Sequence, residues 1–275
     1  MSYNSGASWI ARKSGLPSSV NLASVTVSAD GTKLALAGYT RGLYISNNSG
    51  TTWTPSSSGL PTSQAAYMSI ASSIDGIKLA VVVQGGGIYT SSNSGASWTL
   101  QSSAAGSQTW FCVTMSYDGN KLAAVVLNGG IYTSGDGGVS WTPRTSGLPS
   151  TAMWKSISYS GDGTRLAAAE LQGGVYISIN NGISWTKVMS TPSGWNSIKL
   201  SADGSRVSLV NQAYGIYLST NGGSTWAQPS SSVVTNKSPW VAITSSTDAK
   251  KIVAAVQRGS IYVSSDSGTS WTTGY

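Results

Sequence analysis

The chain has 275 residues, of which only 9% are charged, with 33 glycines, 11 tryptophans, one cysteine and no histidine; a soluble domain ordinarily carries about 25% charged residues. Without histidine there is no Ser-His-Asp triad, no Cys-His pair and no imidazole metal site, and the lone Cys112 can build neither an internal disulfide nor a zinc centre. The net charge of +7 would favour anionic partners if it were concentrated, and no apolar run reaches the roughly 18 residues that a membrane-spanning helix needs.

Taken in chain order, the sequence is one unit repeated. An octapeptide, Ser-x-Asp/Asn-x-Gly-x-Ser/Thr-Trp, recurs seven times: Ser2–Trp9, Ser46–Trp53, Ser91–Trp98, Ser134–Trp141, Ser178–Trp185, Ser219–Trp226 and Ser264–Trp271. The closing tryptophans are 44, 45, 43, 44, 41 and 45 residues apart. Between them Asp-Gly occurs at Asp30, Asp75, Asp118, Asp162 and Asp203, with Asp248-Ala249 in the sixth place. A basic residue follows each by three: Lys33, Lys78, Lys121, Arg165, Arg206 and Lys251. Asp-Gly between apolar runs is the strongest short-range hairpin signal.

Each repeat therefore predicts four short strands, a to d. In the first repeat, strand a is Ala23–Ser28, strand b Lys33–Ala37 and strand c Leu43–Ser46, and strand d begins near Trp53. No segment has helical periodicity, and β-branched residues dominate the strands. Four-stranded units of about 44 residues, repeated six times, predict an all-β, six-bladed β-propeller of antiparallel blades. The octapeptide is the c–d turn: its Gly supplies positive φ, its Asp or Asn accepts turn amides, and its Trp packs the turn onto the blade.

The octapeptide resembles the Asp-box, or bacterial neuraminidase repeat, found in sialidases, sortilin-type receptors and photosystem II assembly factors. The resemblance covers essentially the whole chain and implies a β-propeller; families on this scaffold differ in function. The expected organisation is a single domain, 1–275, with six repeats over residues 22–275. Residues 1–14 add a further octapeptide and a strand-d-like segment. The two ends are expected to meet in the last blade; which terminus fills its outer position is open, and the surplus N-terminal hairpin is also a candidate for pairing with another molecule.

Six of nine carboxylates fall at the a–b hairpins, and Asp136 and Asp266 fall in octapeptides, so Glu170 is left alone. A glycosidase ordinarily needs two carboxylates across one site. Sialidases imply three arginines, a Tyr–Glu pair, an Asp acid and an Arg-Ile-Pro motif; that motif is absent, and Arg165 and Arg206 belong to hairpins. Gly85–Gly87 and Gly129–Gly130 precede strands, so they present no helix N-terminus to phosphate. The expectation is a protein without catalytic residues, cofactor or metal.

Counting back eight residues from each hairpin Asp gives Leu22, Tyr67, Trp110, Trp154, Trp195 and Trp240, at the start of strand a. The b–c loops carry Gln84, Asn128, Gln172, Gln212 and Gln257, with Arg41 in the first repeat and Arg258 in the sixth. An aromatic beside an amide, repeated, suits a pyranose: C–H faces stack on the ring and the amide serves hydroxyls. The expected function is a non-enzymatic, multivalent carbohydrate-binding, lectin-like propeller with glycans or glycoconjugates as partners. The alternative is a protein-interaction or self-assembling scaffold, forming homo-oligomers through the N-terminal segment; a sialidase-like hydrolase is third. The same aromatics and amides also fit a purely structural role, wedging blades and capping backbone. The six strand-c tyrosines, Tyr44 to Tyr262, read as packing. The remaining basic residues are scattered, so no specific nucleic acid is expected. The N-terminus lacks the basic start and apolar stretch of a signal peptide. Low charge with abundant Ser, Thr, Gly and Trp favours an extracellular or cell-surface setting, and localisation otherwise stays open.

Overall fold

The computed structural model describes residues 1–40, 42–61, 65–101, 107–231, 234 and 238–274, so Arg41 lies outside the described residues. The chain divides into two compact units, one formed by Ala11–Arg144 and the other by Met1–Ile10 with Thr145–Tyr275. The first unit holds three antiparallel meanders. They are β1 (Leu22–Val27), β2 (Leu34–Gly38), β3 (Gly42–Ser46) and β4 (Thr54–Ser56); β5 (Tyr67–Ser72), β6 (Leu79–Gly86), β7 (Ile88–Ser91) and β8 (Thr99–Leu100); and β9 (Gln108–Met115), β10 (Leu122–Gly129), β11 (Ile131–Ser134) and β12 (Thr142–Arg144).

The second unit holds three more. They are β13 (Ala152–Tyr159), β14 (Leu166–Glu170), β15 (Val175–Ser178) and β16 (Thr186–Met189); β17 (Trp195–Leu200), β18 (Val207–Asn211) and β19 (Gly215–Ser219); and β20 (Trp240–Ser245), β21 (Ile252–Val256), β22 (Ile261–Ser264) and β23 (Thr272–Thr273). In the fifth repeat a single bridge, Leu218 to Ala227, takes the place of strand d. Strand positions agree with the sequence reading to within a residue or two, because the turns that bound them are encoded locally.

Both turn types are closed by a serine. At the a–b hairpin Ser28 Oγ donates to Asp30 and accepts the Lys33 amide, while Asp30 also accepts the Thr32 amide. The same arrangement recurs at Ser73, Ser116, Ser160, Ser201 and Ser246. In the octapeptide Ser46 Oγ donates to Asn48 and accepts the Gly50 amide, and Asn48 accepts the Thr52 amide. The residue before the turn glycine is itself left-handed, as at Ser49 and Ser94 (both φ 55°). Thus all eight aspartates are turn residues. The carboxylates of Asp30, Asp75, Asp118, Asp136, Asp203, Asp248 and Asp266 are held low: Asp30 falls to about 2, chiefly through the Ser28 hydroxyl and the Thr32 amide, and Asp136 to about 2 through the Ser140 hydroxyl and amide.

Neighbouring repeats meet through a recurring junction. In the first unit Ser24 Oγ accepts the Ile70 amide and Ser69 Oγ accepts the Val113 amide; in the second Ser156 accepts from Ile198 and Ser197 from Ile243, all at 3.1–3.2 Å. At the hairpins the Ala29 amide donates to the Ile74 carbonyl and the Ile74 amide to Tyr117. Gly161 to Ala202 and Ala202 to Thr247 repeat this link in the second unit. The basic side chain of one hairpin covers the glycine of the next: Lys33 over Gly76, Lys78 over Gly119, Arg165 over Gly204. The Ser-Gly-Leu-Pro turns complete the junction. The amide of Trp98 donates to the Ser58 carbonyl, and Gly59 (φ +81°) lies so close to the Trp98 carbonyl that any β-carbon would overlap it.

Residues 1–21 form no strand among the described residues. In the second unit the N-terminal octapeptide lies on the sixth repeat: Gly6 abuts Val263, and Lys251 Nζ donates to Ser5 Oγ. Gly95 abuts Ile45, and Lys33 reaches Ser94, in the same way at an ordinary junction. In the first unit the Trp53 amide donates to the Ser14 carbonyl and its indole to the Arg12 carbonyl.

Candidate functional site

The predicted aromatics start the a strands, where the structure places a bulge in every repeat. Pairing runs Trp154 with Glu170 and then Ser156 with Ala169, so Lys155 is the extra residue; Met68, Phe111, Asn196 and Val241 are its counterparts. One inserted residue reverses strand parity. Trp154 therefore shares a face with Ile157, whose row across the sheet is Ala168 and Tyr176, and it is separated from the junction serine Ser156. The ring turns inward over that row and meets Tyr176 edge-on at 5.3 Å. Trp110–Tyr132 and Trp195–Tyr217 repeat the contact at 5.2 and 5.1 Å, and Trp240 meets Tyr262 at 5.2 Å with the rings tilted by 53°.

The consequence for the stacking platforms is a correction. Trp110, Trp154 and Trp195 have no exposed surface, Trp240 is 1% exposed and Tyr67 3%. A ring without an exposed face offers nothing for a sugar to stack on. Burial, with Tyr89 nearby, pushes the Tyr67 hydroxyl up to about 12. The indole N–H groups of Trp110, Trp195 and Trp240 are buried without a hydrogen-bond partner among the described residues. These residues are packing elements, together with the strand-c tyrosines. The parity switch that hides them is not encoded in alternation, which is why the sequence pattern left their exposure open.

The amides behave differently. Gln84, Asn128, Gln172, Gln212 and Gln257 are all exposed, as is Arg258. None of the five side chains has a hydrogen-bond partner among the described residues. Their backbones are fixed: the Gln84, Gln212 and Gln257 amides donate to the Ala66, Gly194 and Pro239 carbonyls just before each a strand. In the third and fourth repeats the amide falls one position later; it is Leu171 whose N–H reaches back to Met153. Asn128 and Arg258 sit at positive φ, 59° and 55°, in their turns. The second unit thus carries Gln172, Gln212, Gln257 and Arg258 on the b–c ends of three consecutive repeats, and the first carries Gln84 and Asn128. Arg41 lies outside the described residues.

Glu170 pairs across from Trp154, and its carboxyl occupies the space a side chain on Gly173 would take. Asp162 lies at the opposite end of β14, on the order of 16 Å away at about 3.3 Å per residue, beyond the 5–9.5 Å at which paired carboxylates hydrolyse glycosides. Among the described residues no cluster of three His, Cys, Asp or Glu forms that could hold a metal ion. Among the described residues no helix is long and apolar enough to cross a membrane. Two shallow grooves, of 310 and 280 Å³, lie along octapeptide turns; small polar residues line them together with Ile45 and Pro55 in the first and Leu218, Trp226 and Pro229 in the second, without a charged side chain. Arg144 lies on strand d and donates to Thr133 at 2.7 Å.

What sequence reasoning missed is the junction serine, two residues after each aromatic. Its signal was present as Ser24, Ser69, Ser156 and Ser197, with Cys112 and Ala242 in the other two repeats.

No family model matches the chain, and no curated protein matches it. Solved structures do. YCF48 bound to a D1 peptide has a TM-score of 0.71 at 16% identity, with 94% of this chain and 83% of that chain covered. YCF48 from Cyanidioschyzon merolae gives 0.69 at 18%, covering 94% and 86%. An ancestral GH74 enzyme gives 0.70 at 16%, covering 89% of this chain and 36% of that one. The β-propeller domain of Myceliophteria thermophila Cps50 (Swd1) gives 0.69 at 14%, covering 93% and 86%. Identities this low establish the fold: an all-β chain of four-stranded antiparallel sheets matching β-propellers.

Proposed function

We propose that this protein is a non-enzymatic propeller scaffold, each of its six repeats a blade closed by an Asp-box turn, that binds an extended polypeptide through its b–c turn amides. The observation that carries this reading is the contrast between buried aromatics and exposed amide side chains that have no hydrogen-bond partner among the described residues. A carboxamide offers a donor and an acceptor side by side, which matches the N–H and C=O of a peptide backbone. Repetition multiplies weak contacts along one ligand. Among structures of similar fold, YCF48 bound to a D1 peptide supplies a precedent for a peptide ligand.

The carbohydrate reading shares the amides and loses its stacking partners, so it ranks second. Assembly through the N-terminal segment ranks lower still, because that segment is engaged with its own sixth repeat. Hydrolysis would have to run on Glu170 without a second carboxylate nearby. The test is a peptide array beside a glycan array, followed by titration of the best ligand against Gln172→Ala/Gln212→Ala/Gln257→Ala. Peptide binding lost in the triple variant at unchanged thermal stability supports the proposal; glycan binding alone, or binding indifferent to the triple variant, refutes it.

A further inference from the structure

The b–c turn of the fifth repeat, in the second unit, departs from the others at two coupled positions. Aligned on strand b, Tyr214 stands in the place of Gly86, Gly129, Gly173 and Gly259, and Asn211 in the place of Val83, Val126, Glu170 and Val256. In the second, third and sixth repeats the valine is the reason for the glycine. A β-carbon built on Gly86, Gly129 or Gly259 would lie 2.8, 2.6 or 2.9 Å from a methyl of the valine three residues back, closer than two carbons pack. At Gly173 the Glu170 carboxyl fills the same space. In the first repeat Gly38 takes the earlier place, and Arg41 lies outside the described residues.

Asn211 removes that obstacle. It has no exposed surface, and its side chain is bonded at both ends. Its Oδ1 accepts the Ala213 amide at 3.0 Å and the Tyr214 amide at 3.1 Å, and its Nδ2 donates to the Ser193 carbonyl at 2.8 Å. The Gln212 amide donates to the Gly194 carbonyl, and Gln228 Nε2 donates to the Tyr214 carbonyl. The backbone is thus anchored at each of residues 212–214. Two side chains are left free. Tyr214 is 51% exposed and Gln212 is exposed, and neither side chain has a hydrogen-bond partner among the described residues. A buried amide is tolerated only when its groups are bonded, a demand that a valine in this place would not make. What the exchange obtains is a side chain at position 214, on a turn that cannot swing.

We propose that Tyr214 is the specificity-determining anchor of the fifth b–c turn: an uncharged, apolar residue of an extended polypeptide packs on its exposed ring while Gln212 bonds the neighbouring peptide unit. The inference rests on the peptide reading above and adds the side-chain class, which the amides alone do not select because a carboxamide matches backbone groups. A tyrosine has two side-chain torsions, so little freedom is lost on contact, and a ring on an anchored turn is already placed. Aromatic residues so placed are the ones that dominate binding energy at interfaces. Residues 211–215 carry no charge, so a charged ligand residue finds no partner in this turn and keeps its better hydration in water.

The probe is a positional-scanning array of immobilised peptides, followed by calorimetric titration of soluble copies of the best peptide carrying Leu, Pro, Ser, Asp or Lys at each position in turn. The full chain is compared with Tyr214→Ser and Tyr214→Phe. Expected is one position at which Leu or Pro binds about tenfold more tightly than Ser, Asp or Lys, a preference kept in Tyr214→Phe and lost in Tyr214→Ser. Tyr214→Ser should keep the parent's melting temperature. Asn211→Val, which sets a valine methyl against the β-carbon of residue 214, should lower both the melting temperature and the affinity; adding Tyr214→Gly should restore part of the first and none of the second. No position with such a preference, or a preference unchanged in Tyr214→Ser, overturns the anchor, and the amide reading then stands or falls separately on the triple amide variant. Affinity lost in Tyr214→Ser but indifferent to the triple variant refutes the amide reading and supports the ring. An array without any bound peptide, or Tyr214-dependent binding of a glycan alone, overturns both.

Discussion

Truncating Trp195 separates a packing role from a ligand role. Its indole has no exposed surface, meets Tyr217 at 5.1 Å and 80°, and belongs to a core with Ala167, Ala169, Val175, Ile177, Ile198, Leu200, Val207 and Leu209. Trp195→Ala removes the ring and leaves a cavity, a change that costs about 3–5 kcal/mol, of which roughly 0.5–1.5 is the edge-on aromatic contact. For a chain of this size that lowers the melting temperature by roughly 10 °C at 2–4 °C per kcal/mol. Trp195→Phe keeps most of the contact and removes a buried N–H that has no partner among the described residues, a group whose desolvation costs about 1–3 kcal/mol. Its net cost should stay under about 1.5 kcal/mol. Leu22→Ala, at the equivalent but exposed position, should fall within about 0.5 kcal/mol of the parent. Urea unfolding followed by far-ultraviolet circular dichroism measures all three. A Trp195→Ala variant within 1 kcal/mol of the parent, or a Leu22→Ala variant as damaged as Trp195→Ala, would refute the reasoning.

Three further outcomes follow from the turns and junctions. Gly59→Ala, which combines a left-handed backbone with a β-carbon against the Trp98 carbonyl, should cost at least about 2 kcal/mol; a neutral midpoint in urea would show that the Ser-Gly-Leu-Pro turn is not a close backbone contact. Ser156→Ala or Ser197→Ala leaves a strand amide without its acceptor and should cost about 1–3 kcal/mol, with faster hydrogen exchange at Ile198 or Ile243; unchanged exchange at those amides would remove the serine from the junction. Asp136 and Asp266 titrate at about 2 when folded, below their ordinary 3.8, so their contribution is complete above pH 4 and is lost as pH falls toward 2. Asn48 and Asn93 already fill this place with the same acceptor geometry, so Asp136→Asn/Asp266→Asn should match the parent near neutral pH and lose less stability between pH 5 and 2; an equally steep acid limb would contradict the assignment.

The repeat, the strand spacing and both turn types were legible in the sequence because their chemistry is local. A serine, an Asp or Asn and a glycine within five residues close each turn without help from the rest of the chain. The amides were legible as turn residues, although the Asn128 and Gln172 turns are offset by one residue from the others. The aromatics were not legible as packing, because their burial depends on the bulge at Lys155 and its counterparts. A bulge changes face parity without changing composition. The inner strand of the first repeat left a trace: Leu22 stands where every other repeat has Tyr or Trp, and it is exposed where they are buried.

The most direct measurement on the proposed function is the affinity of the array-selected peptide for the parent chain and for Gln172→Ala/Gln212→Ala/Gln257→Ala. Each lost neutral hydrogen bond is worth about 0.5–1.5 kcal/mol, so the triple variant should bind roughly 10- to 1000-fold more weakly while its melting temperature stays that of the parent. Equal affinity in the two proteins would contradict a polypeptide-binding role for the b–c turn amides.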